Sequence, residues 1–396
     1  MRPVMREADG TWLEGAPGAA GVSRPQSAWR LRVERRLSEA GVCLDGARPW
    51  DPQIRDERVF RRILLHGSLG LGESYVEGWW DCERLDELAY RMLRSGAEAR
   101  LVDSLADWLR LARAWLWNLQ SVGRAAQVAR RHYDLGKDLF GAMLDARAIY
   151  SCGYWCDART LDEAQEAKLD LVARKLALEP GMRVLDIGCG WGGAARRLAE
   201  RWGVEVVGVT ISDEQAHFAS EHCRGLPVQI RHQDYRSIEG RYDRVYSIGM
   251  FEHVGWQNYR AYFTEVAGLL DPDGLFLLHS IGARVSSRYS DPWVARYIFP
   301  NSLLPSAAQI AAASEGLFAI EDWHNFGADY DRTLIAWHRN FERAWPRLAD
   351  RYGPRFRRMW RYYLLTSAGG FRARRHQLWQ IVLSPRGVLG GYRSVR

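Results

Sequence analysis

A glycine-rich turn directly after a short apolar strand constrains the fold of this chain more than any other feature. Residues 183–187 have the pattern of a buried strand, and Gly188, Gly190 and Gly193 follow it with the spacing G-x-G-x-x-G. This spacing favours a tight strand-to-helix turn whose backbone approaches a ligand closely, although the motif alone is weak evidence. The turn predicts an α/β domain whose ligand lies beyond the carboxyl end of the strand.

The rest of the chain repeats this alternation of strand and helix. Apolar runs separated by helical stretches predict seven strands, at residues 183–187, 205–210, 228–233, 242–248, 275–280, 318–323 and 377–383. Buried strands that alternate with helices form a mainly parallel sheet with helices on both faces. We therefore expect a Rossmann-like, doubly wound seven-stranded sheet.

Four segments organise the chain. Residues 1–25 are rich in Gly, Pro and Ala and are predicted to be disordered. Residues 26–120 are expected to form a smaller, mostly helical N-terminal domain, and residues 121–131 a polar, basic linker. The strand pattern assigns residues 132–396 to the second domain.

Two features stand out in the N-terminal domain. Apolar residues recur at i, i+3, i+4 and i+7 across residues 103–120, which predicts an amphipathic helix. That helix either buries its apolar stripe within its own domain or rests part of its Trp and Arg surface on a bilayer. Residues 64–72 are predicted to form a turn interrupted by glycines.

Composition narrows the function classes. The net charge of +7 favours an anionic partner, either nucleic acid or a membrane face, and no nucleic-acid-binding motif is recognised. The eighteen tryptophans suit a lipid interface or a Trp-rich core. The six cysteines lack paired spacing, so we expect reduced thiols, no metal site and a cytosolic protein. Neither a leader peptide nor a membrane-spanning segment is expected.

The position of one acid distinguishes two classes of ligand. A dinucleotide-binding turn requires an acid at the end of the next strand to hold the ribose, and the strand at 205–210 has none there. Asp186 instead lies just before the glycines. This D-x-G-x-G pattern resembles the class I S-adenosylmethionine-dependent methyltransferases, whose glycines let the backbone approach the cofactor. Asp186 either faces the cofactor or braces the loop through backbone N–H groups.

Two further strand ends carry candidate polar residues. Gln233 and Asp234 follow the third strand; in the resembling fold an acid here faces the adenine, and the alternative is an ordinary turn acid. Glu252 and His253 follow the fourth strand, whose tip overlooks the sulfonium in that fold. Glu252 and His253 are therefore predicted to serve chemistry rather than packing.

Six runs make the resemblance specific: HYDLG (132–136), IYSCGYW (149–155), GVTIS (208–212), MFEHVG (250–255), YIFPN (297–301) and DWHNFGADYD (322–331). With these runs the sequence resembles the bacterial cyclopropane-fatty-acyl-phospholipid synthases from about residue 29 to the end. The related mycolic acid cyclopropane synthases lack the N-terminal domain and use carrier-bound chains. The resemblance therefore implies unsaturated phospholipid in a bilayer as substrate. It implies that residues 26–120 bind lipid or the membrane and that residues 132–396 form the S-adenosylmethionine-dependent catalytic domain. It also implies a homodimer in the cytoplasm, bound peripherally to the anionic inner face of the cell membrane.

The resemblance also assigns site residues. It implies that S-adenosylmethionine is bound by Tyr150, Ser151, Asp186, Gly188, Gly190, Thr210, Gln215, Gln233 and Asp234. It implies that a bicarbonate ion is held by Cys152, Glu252, His279, Ile281 and Tyr330. Thr210 and Gln215 would replace the missing ribose acid. Ser367 stands where the family often has a cysteine, so no thiol nucleophile is expected there.

The implied chemistry needs a weak base beside an aligned electrophile. Transfer of a sulfonium methyl to an alkene leaves a carbocation, and the ring closes when a proton leaves the new methyl group. In the resembling family bicarbonate accepts that proton, and Glu252 and His279 would orient it. Tyr133, Phe251 and Tyr297 are candidates for cation–π stabilisation, although core packing explains them equally well.

Other readings of these residues remain open. Taken singly, Cys152, His279 and Tyr330 are each compatible with ordinary core packing, and only the set in matching contexts favours a site. An amine N-methyltransferase is the nearest rival function, against which the N-terminal domain and the full bicarbonate set argue. A non-catalytic membrane or nucleic-acid binder is a third class, against which the intact cofactor loop argues.

Overall fold

The computed structural model describes residues 27–96 and 136–396. The first range contains three helices, α1 (Ala28–Glu39), α2 (Arg58–Val76) and α3 (Leu85–Ser95), and an antiparallel pair, β1 (Gln53–Ile54) and β2 (Trp80–Asp81). The predicted helix at 103–120, the linker at 121–131, the segment 1–25 and Tyr133 lie outside the described residues.

The glycine-broken turn predicted at residues 64–72 is confined to Gly67. The structure has two helical segments of α2 that meet there at a kink, with φ 56° and ψ −133° for Gly67. Gly72 lies so close to Trp293 that a Cβ would come within 2.3 Å of the indole. Glycine thus permits the break at one position and a close helix contact at another, and the rest of the predicted turn is helical.

The second range is built on a seven-stranded sheet. Its strands are β3 (Arg183–Ile187), β4 (Glu205–Thr210), β5 (Val228–His232), β6 (Tyr242–Ile248), β7 (Leu270–Ala283), β8 (Ala319–Asn325) and β9 (His376–Ser384). Their order is β5-β4-β3-β6-β7-β9-β8, in which only β9 runs antiparallel to its neighbours. The predicted α/β fold is confirmed, with strand ends shifted by a few residues and β7 extended towards its start.

Helices separate these strands. They are α4 (Lys137–Met143), α5 (Leu161–Lys175), α6 (Gly193–Trp202), α7 (Asp213–His222), α8 (Tyr259–Leu269), α9 (Pro292–Tyr297), α10 (Ala307–Ser314) and α11 (Asp329–Arg372). A reciprocal capping box of Thr160 and Glu163 fixes the start of α5. The cap matters because α5 carries several side chains that reach the site.

The N-terminal helices pack directly on α11. Gly369 of α11 lies against α3, where a Cβ would be 2.4 Å from the Asp86 carbonyl oxygen. Arg372 reinforces the contact with ion pairs to Asp86 at 2.9 Å and Glu87 at 3.3 Å. One apolar cluster runs through α2, α3, α5 and α11. The helical range and the sheet range therefore share a core.

Tryptophan serves this core more than the surface in the described residues. Eight tryptophans are buried: Trp80, Trp155, Trp191, Trp293, Trp337, Trp345, Trp360 and Trp379. Trp29, at the start of α1, is 43% exposed. All six cysteines are free thiols. No helix among the described residues is long and apolar enough to span a bilayer.

Candidate active site

A cavity opens at the carboxyl ends of β3, β4 and β6, where parallel strands bring their loops together. Its wall contains Tyr150, Ser151, Asp186, Gly188, Gly190, Thr210, Gln215, Gln233 and Asp234, all nine residues predicted for the cofactor. Gly188 has φ 89°, and a Cβ there would lie 2.9 Å from Met250, whereas a Cβ on Gly190 would meet no atom within 4 Å. The glycine turn therefore presents its backbone to open space.

Asp186 is buried in the cavity wall. The hydroxyl of Tyr246 donates a hydrogen bond to its carboxylate at 2.8 Å. Burial raises the pKa of Asp186 to about 7, against the opposing effects of that hydrogen bond and of the Lys168 ammonium. The backbone N–H of Gly188 in the glycine turn donates to the Val209 carbonyl at 3.0 Å. Its acceptor is therefore not the Asp186 carboxylate. The geometry favours the interpretation in which Asp186 faces the ligand.

Residues 150 and 151 form a second wall, held by two helices. The Ser151 hydroxyl accepts a hydrogen bond from Lys168 Nζ at 2.9 Å, and its carbonyl accepts one from Gln165 Nε2 at 2.8 Å. The Tyr150 and Tyr363 hydroxyls lie 2.9 Å apart. Because Lys168 and Gln165 belong to α5 and Tyr363 to α11, packing between distant parts of the chain sets this wall.

Polar residues after β4 and β5 complete the cavity. The Thr210 hydroxyl donates to Gln215 Oε1 at 2.9 Å, and both side chains are buried. Asp234 forms an ion pair with Arg236 at 2.6 Å and caps a short 3-10 turn. Gln233 donates to the Ser237 carbonyl. Asp234 thus caps a turn and also lines the cavity, so its role as a turn acid is compatible with contact to the adenine.

Glu252 lies in a 3-10 turn after β6 and is not part of the cavity wall. Its Oε1 accepts a hydrogen bond from the Ile281 backbone N–H at 2.6 Å, while Oε2 is buried without a partner among the described residues. Burial raises the pKa of Glu252 to about 7, opposed by that backbone N–H and by the Ser280 hydroxyl. The carboxyl group is therefore fixed at one oxygen and available at the other.

His279 lies inside β7 and points to the same side of the strand as Ile281. Gln380 Nε2 lies 3.3 Å from His279 Nδ1, and this amide orientation makes Nδ1 the acceptor. The proton then resides on Nε2, which is buried without a partner in the described structure. Burial lowers the pKa of His279 well below its usual value. His279 thus offers a neutral, directed N–H donor.

Cys152 is fully buried, and Tyr330 is buried. Burial raises the pKa of Tyr330 well above its usual value, and the charges of Tyr363, Cys152 and Glu252 raise it further. Thr333 ties the Cys152 region to α11, since its hydroxyl accepts from the Gly153 N–H at 3.1 Å. Of the five residues predicted for bicarbonate, Glu252 contacts Ile281, which lies two residues after His279 on β7, and none of the five lies in the cavity wall.

Sequence reasoning missed Lys168 and Thr333. Lys168 lies in the cavity wall, and Thr333 also accepts from Trp155 Nε1 at 2.9 Å. A signal existed for Lys168, because it falls on the apolar stripe of α5, between Gln165 and Leu169, where a charged residue requires a buried partner. No local signal distinguishes Thr333 from any other threonine in a helix.

The residues present fit both implied groups. The cavity offers glycine backbone, a carboxylate and hydroxyl groups, which suit the ribose and amino acid parts of S-adenosylmethionine. The unpartnered oxygen of Glu252 and N–H of His279 suit a small oxyanion that can both donate and accept hydrogen bonds. His253, next to Glu252 in the chain, lines the cavity and so lies between the two regions.

Known proteins of similar sequence and structure show the family of this chain. A family model described as mycolic acid cyclopropane synthetase matches residues 120–381. The cyclopropane-fatty-acyl-phospholipid synthase of Escherichia coli (strain K12) is 53% identical over 375 residues, which cover 95% of this chain and 98% of that protein. A solved cyclopropane synthase from Mycobacterium tuberculosis aligns with TM-score 0.62 and 30% identity over 65% of this chain and 97% of its own. A mycolic acid cyclopropane synthase solved with SAH and CTAB aligns with TM-score 0.61, 30% identity and the same two coverages.

The sheet topology, the glycine turn and the likeness to an SAH-bound structure define a class I S-adenosylmethionine-dependent methyltransferase. The family follows from the length of the matches. The chain belongs to the cyclopropane synthase family and is an S-adenosylmethionine-dependent enzyme of cyclopropane fatty acid synthesis.

Proposed function

We propose that the enzyme transfers the methyl carbon of S-adenosylmethionine to the cis double bond of unsaturated phospholipid acyl chains, and that a bicarbonate ion accepts the proton lost on ring closure. The Escherichia coli relative, named as a fatty-acyl-phospholipid synthase, matches 95% of the chain, including the N-terminal helices. The two mycobacterial structures match 65%. This difference in coverage supports phospholipid as the substrate.

The observation that carries the proposal is the arrangement around Glu252. The Ile281 N–H fixes Oε1 at 2.6 Å, and Oε2 remains buried without a partner in the described residues, as does His279 Nε2. A buried polar atom without a partner costs about 1–3 kcal/mol, so a ligand that satisfies both atoms is favoured. Bicarbonate held by Glu252 and His279 would supply a weak, oxygen-rich base.

The remaining residues of the chain would keep the reaction dry and aligned. Tyr150 stacks at a tilt on Trp337, with ring centroids 5.1 Å apart, and on Phe299 at 6.3 Å. Aromatic faces beside the cavity exclude water, which would otherwise capture a carbocation, and they stabilise positive charge. Cys152 and Tyr330 are buried in the same cluster and would close the base site from behind.

We further propose that the enzyme works in the cytoplasm as a homodimer on the anionic inner face of the cell membrane. The net charge of +7 supports attraction to anionic headgroups, worth about 1 kcal/mol per basic residue at the surface. The substrate lies in a bilayer, so the enzyme must reach its surface. No nucleic acid partner is proposed.

Mass spectrometry of lipid products tests the function directly. Purified enzyme would be incubated with vesicles of monounsaturated phospholipid and S-adenosylmethionine, with and without added bicarbonate. We expect a product heavier by one CH2 group that lacks the double bond and forms faster with bicarbonate. If product forms at the same rate in carbonate-free buffer, the base assignment fails while the substrate assignment stands.

The same experiment with small amines as substrates tests the rival function. The rival function, methylation of a small amine, predicts a methylated amine and unchanged lipid. That result would reject phospholipid as the substrate and leave the α1–α3 region without a role in substrate binding.

A further inference from the structure

Lys168 is a fully buried lysine in the wall of the cofactor cavity. It lies on the inner face of α5, and its side chain is 0% exposed. Its Nζ donates a hydrogen bond to the Ser151 hydroxyl at 2.9 Å. Burying an ammonium group is costly unless charges or hydrogen bonds compensate it, so the groups around Lys168 define its role.

Lys168 shares the cavity wall with Asp186 on β3. Three groups attract its ammonium through their charges: Asp145 before α5 most, then Cys152, and Asp186 least. Lys168 in turn acts on His279, whose pKa it helps to lower. Its own pKa falls to about 8 because burial outweighs the attraction of the carboxylates. Lys168 therefore connects the cavity with the cluster around Glu252.

We propose that Lys168 is a positioning residue of the cofactor cavity, which holds the Ser151 hydroxyl in the cavity wall and keeps Asp186 ionised towards the positively charged cofactor. Lys168 has this role only if the cavity binds S-adenosylmethionine as assigned above. A lysine suits the position because its compact ammonium can donate to the Ser151 hydroxyl and carry a positive charge into the cavity wall.

A pH dependence follows from the surroundings of Asp186. Its carboxylate is faced by the Tyr246 hydroxyl from β6 and by Lys168 from α5, and the Cys189 thiol lies near it in the glycine turn. A cationic ligand favours the ionised carboxylate, so cofactor affinity should fall as pH falls through about 7, the pKa of Asp186. Removing the Lys168 charge raises that pKa further, so the loss of affinity should begin at higher pH.

Calorimetric titration of S-adenosylmethionine into the Lys168→Met variant tests the proposal by binding alone. At neutral pH we expect Kd to rise about tenfold or more, as for loss of a charged hydrogen bond. Between about pH 6 and pH 9 the midpoint of the affinity loss should move upward relative to the unmodified enzyme. An Asp186→Asn variant should lose this pH dependence in either background.

A double-mutant cycle asks whether Lys168 acts through Ser151. Ser151→Ala removes the hydroxyl that Lys168 holds, and residues in contact give non-additive effects. We expect the combined variant to bind the cofactor little worse than Lys168→Met alone. Fully additive effects would reject the coupling between the two residues.

Lys175→Met is the matched control. Lys175 lies on the same face of α5, seven residues further on, and is also 0% exposed. Its Nζ pairs with Asp322 at 3.2 Å, and Asp322 keeps Arg396 as a partner at 2.7 Å when the lysine is lost. Lys175 is absent from the cavity wall, so Lys175→Met should lose stability without a shift in the pH profile of cofactor binding.

The outcomes distinguish failure of the Lys168 proposal from failure of the cavity as the S-adenosylmethionine site. If Lys168→Met and Lys175→Met lower the melting temperature similarly and both bind the cofactor with unchanged Kd and pH profile, Lys168 is only structural and the proposal is overturned. If the unmodified enzyme binds the cofactor but a Gly188→Leu variant, with a side chain forced towards Met250, binds it equally well, the cavity assignment itself fails.

Discussion

At the scale of single residues, Glu252 combines burial with one fixed and one unpartnered oxygen. Glu252→Gln keeps the size of the side chain and removes its ability to ionise. We expect turnover of unsaturated phospholipid to fall about 100-fold or more, as when a preorganised polar group is lost from an active site. The Kd for S-adenosylmethionine should stay nearly unchanged, because Glu252 lies outside the cavity wall. Product formation by mass spectrometry and Kd by calorimetry measure the two effects.

Glu265→Gln is the control for that substitution, since Glu265 is exposed on α8 and the change removes the same charge. It should leave turnover and Kd unaltered. A Glu252→Gln enzyme with full turnover would remove Glu252 from the mechanism.

The sequence predicted the residues of the glycine turn in the cavity wall better than the helix residues that hold this wall in place. Asp186, Gly188 and Gly190 belong to a local motif, so their neighbourhood follows from a single turn. Lys168 reaches the site from α5, the helix directly before β3, and its sequence signal is a charge on an apolar stripe. Thr333 reaches the site from α11, far along the chain. Tertiary packing brings α11 there, and the alternation of polar and apolar residues does not encode that contact.

At the scale of elements, the contact between α11 and α3 depends on Gly369. A Cβ at this position would lie 2.4 Å from the Asp86 carbonyl oxygen and 2.8 Å from the Tyr90 nitrogen, both backbone atoms that cannot move alone. Gly369→Val should therefore destabilise the enzyme by about 2 kcal/mol or more, through overpacking. Chemical denaturation monitored by circular dichroism measures the loss.

Gly268 in α8 offers a control of opposite sign. A Cβ there would meet no atom within 4 Å, so Gly268→Ala adds helix propensity without a clash. It should stabilise the enzyme by about 0.5–1 kcal/mol. Equal effects of the two substitutions would show that Gly369 matters for propensity and not for packing.

The elements also show where local sequence signals are obeyed and where they are not. α11 consists of two helical segments that meet at Gly353, with φ 73° and ψ 166°, and Pro354 follows directly, so these two residues break the helix as their chemistry predicts. Pro346 instead lies inside the first segment, where buried neighbours such as Trp345 and Leu348 hold the helix against a local stop signal. α2 likewise consists of two segments that meet at Gly67.

At the scale of the whole molecule, charge is the property that acts on the membrane. The net charge of +7 predicts that binding to vesicles containing phosphatidylglycerol weakens as salt rises, because mobile ions screen exposed charges beyond about 8–10 Å at physiological salt. Co-sedimentation with anionic and with neutral vesicles at several salt concentrations measures this dependence. Binding that is indifferent to both salt and lipid charge would reject electrostatic attraction as its cause.

The sequence predicted the seven-stranded sheet better than it predicted the packing of the N-terminal helices. The alternation of strands and helices predicted the sheet and its ligand edge, because both follow from periodicity along the chain. The shared core of α2, α3 and α11 was not predicted, since helical periodicity gives a buried face but not its partner. The domain boundaries drawn from the sequence remain predictions.

The position of β9 has a consequence for how the protein is made. β9 pairs with both β7 and β8, and it follows both of them in the chain. Until β9 has been synthesised, β7 has an open edge and β8 has no neighbour in the sheet that the structure describes. A chain that stops before β9 should therefore expose unpaired strand edges and be degraded rather than act as a methyltransferase.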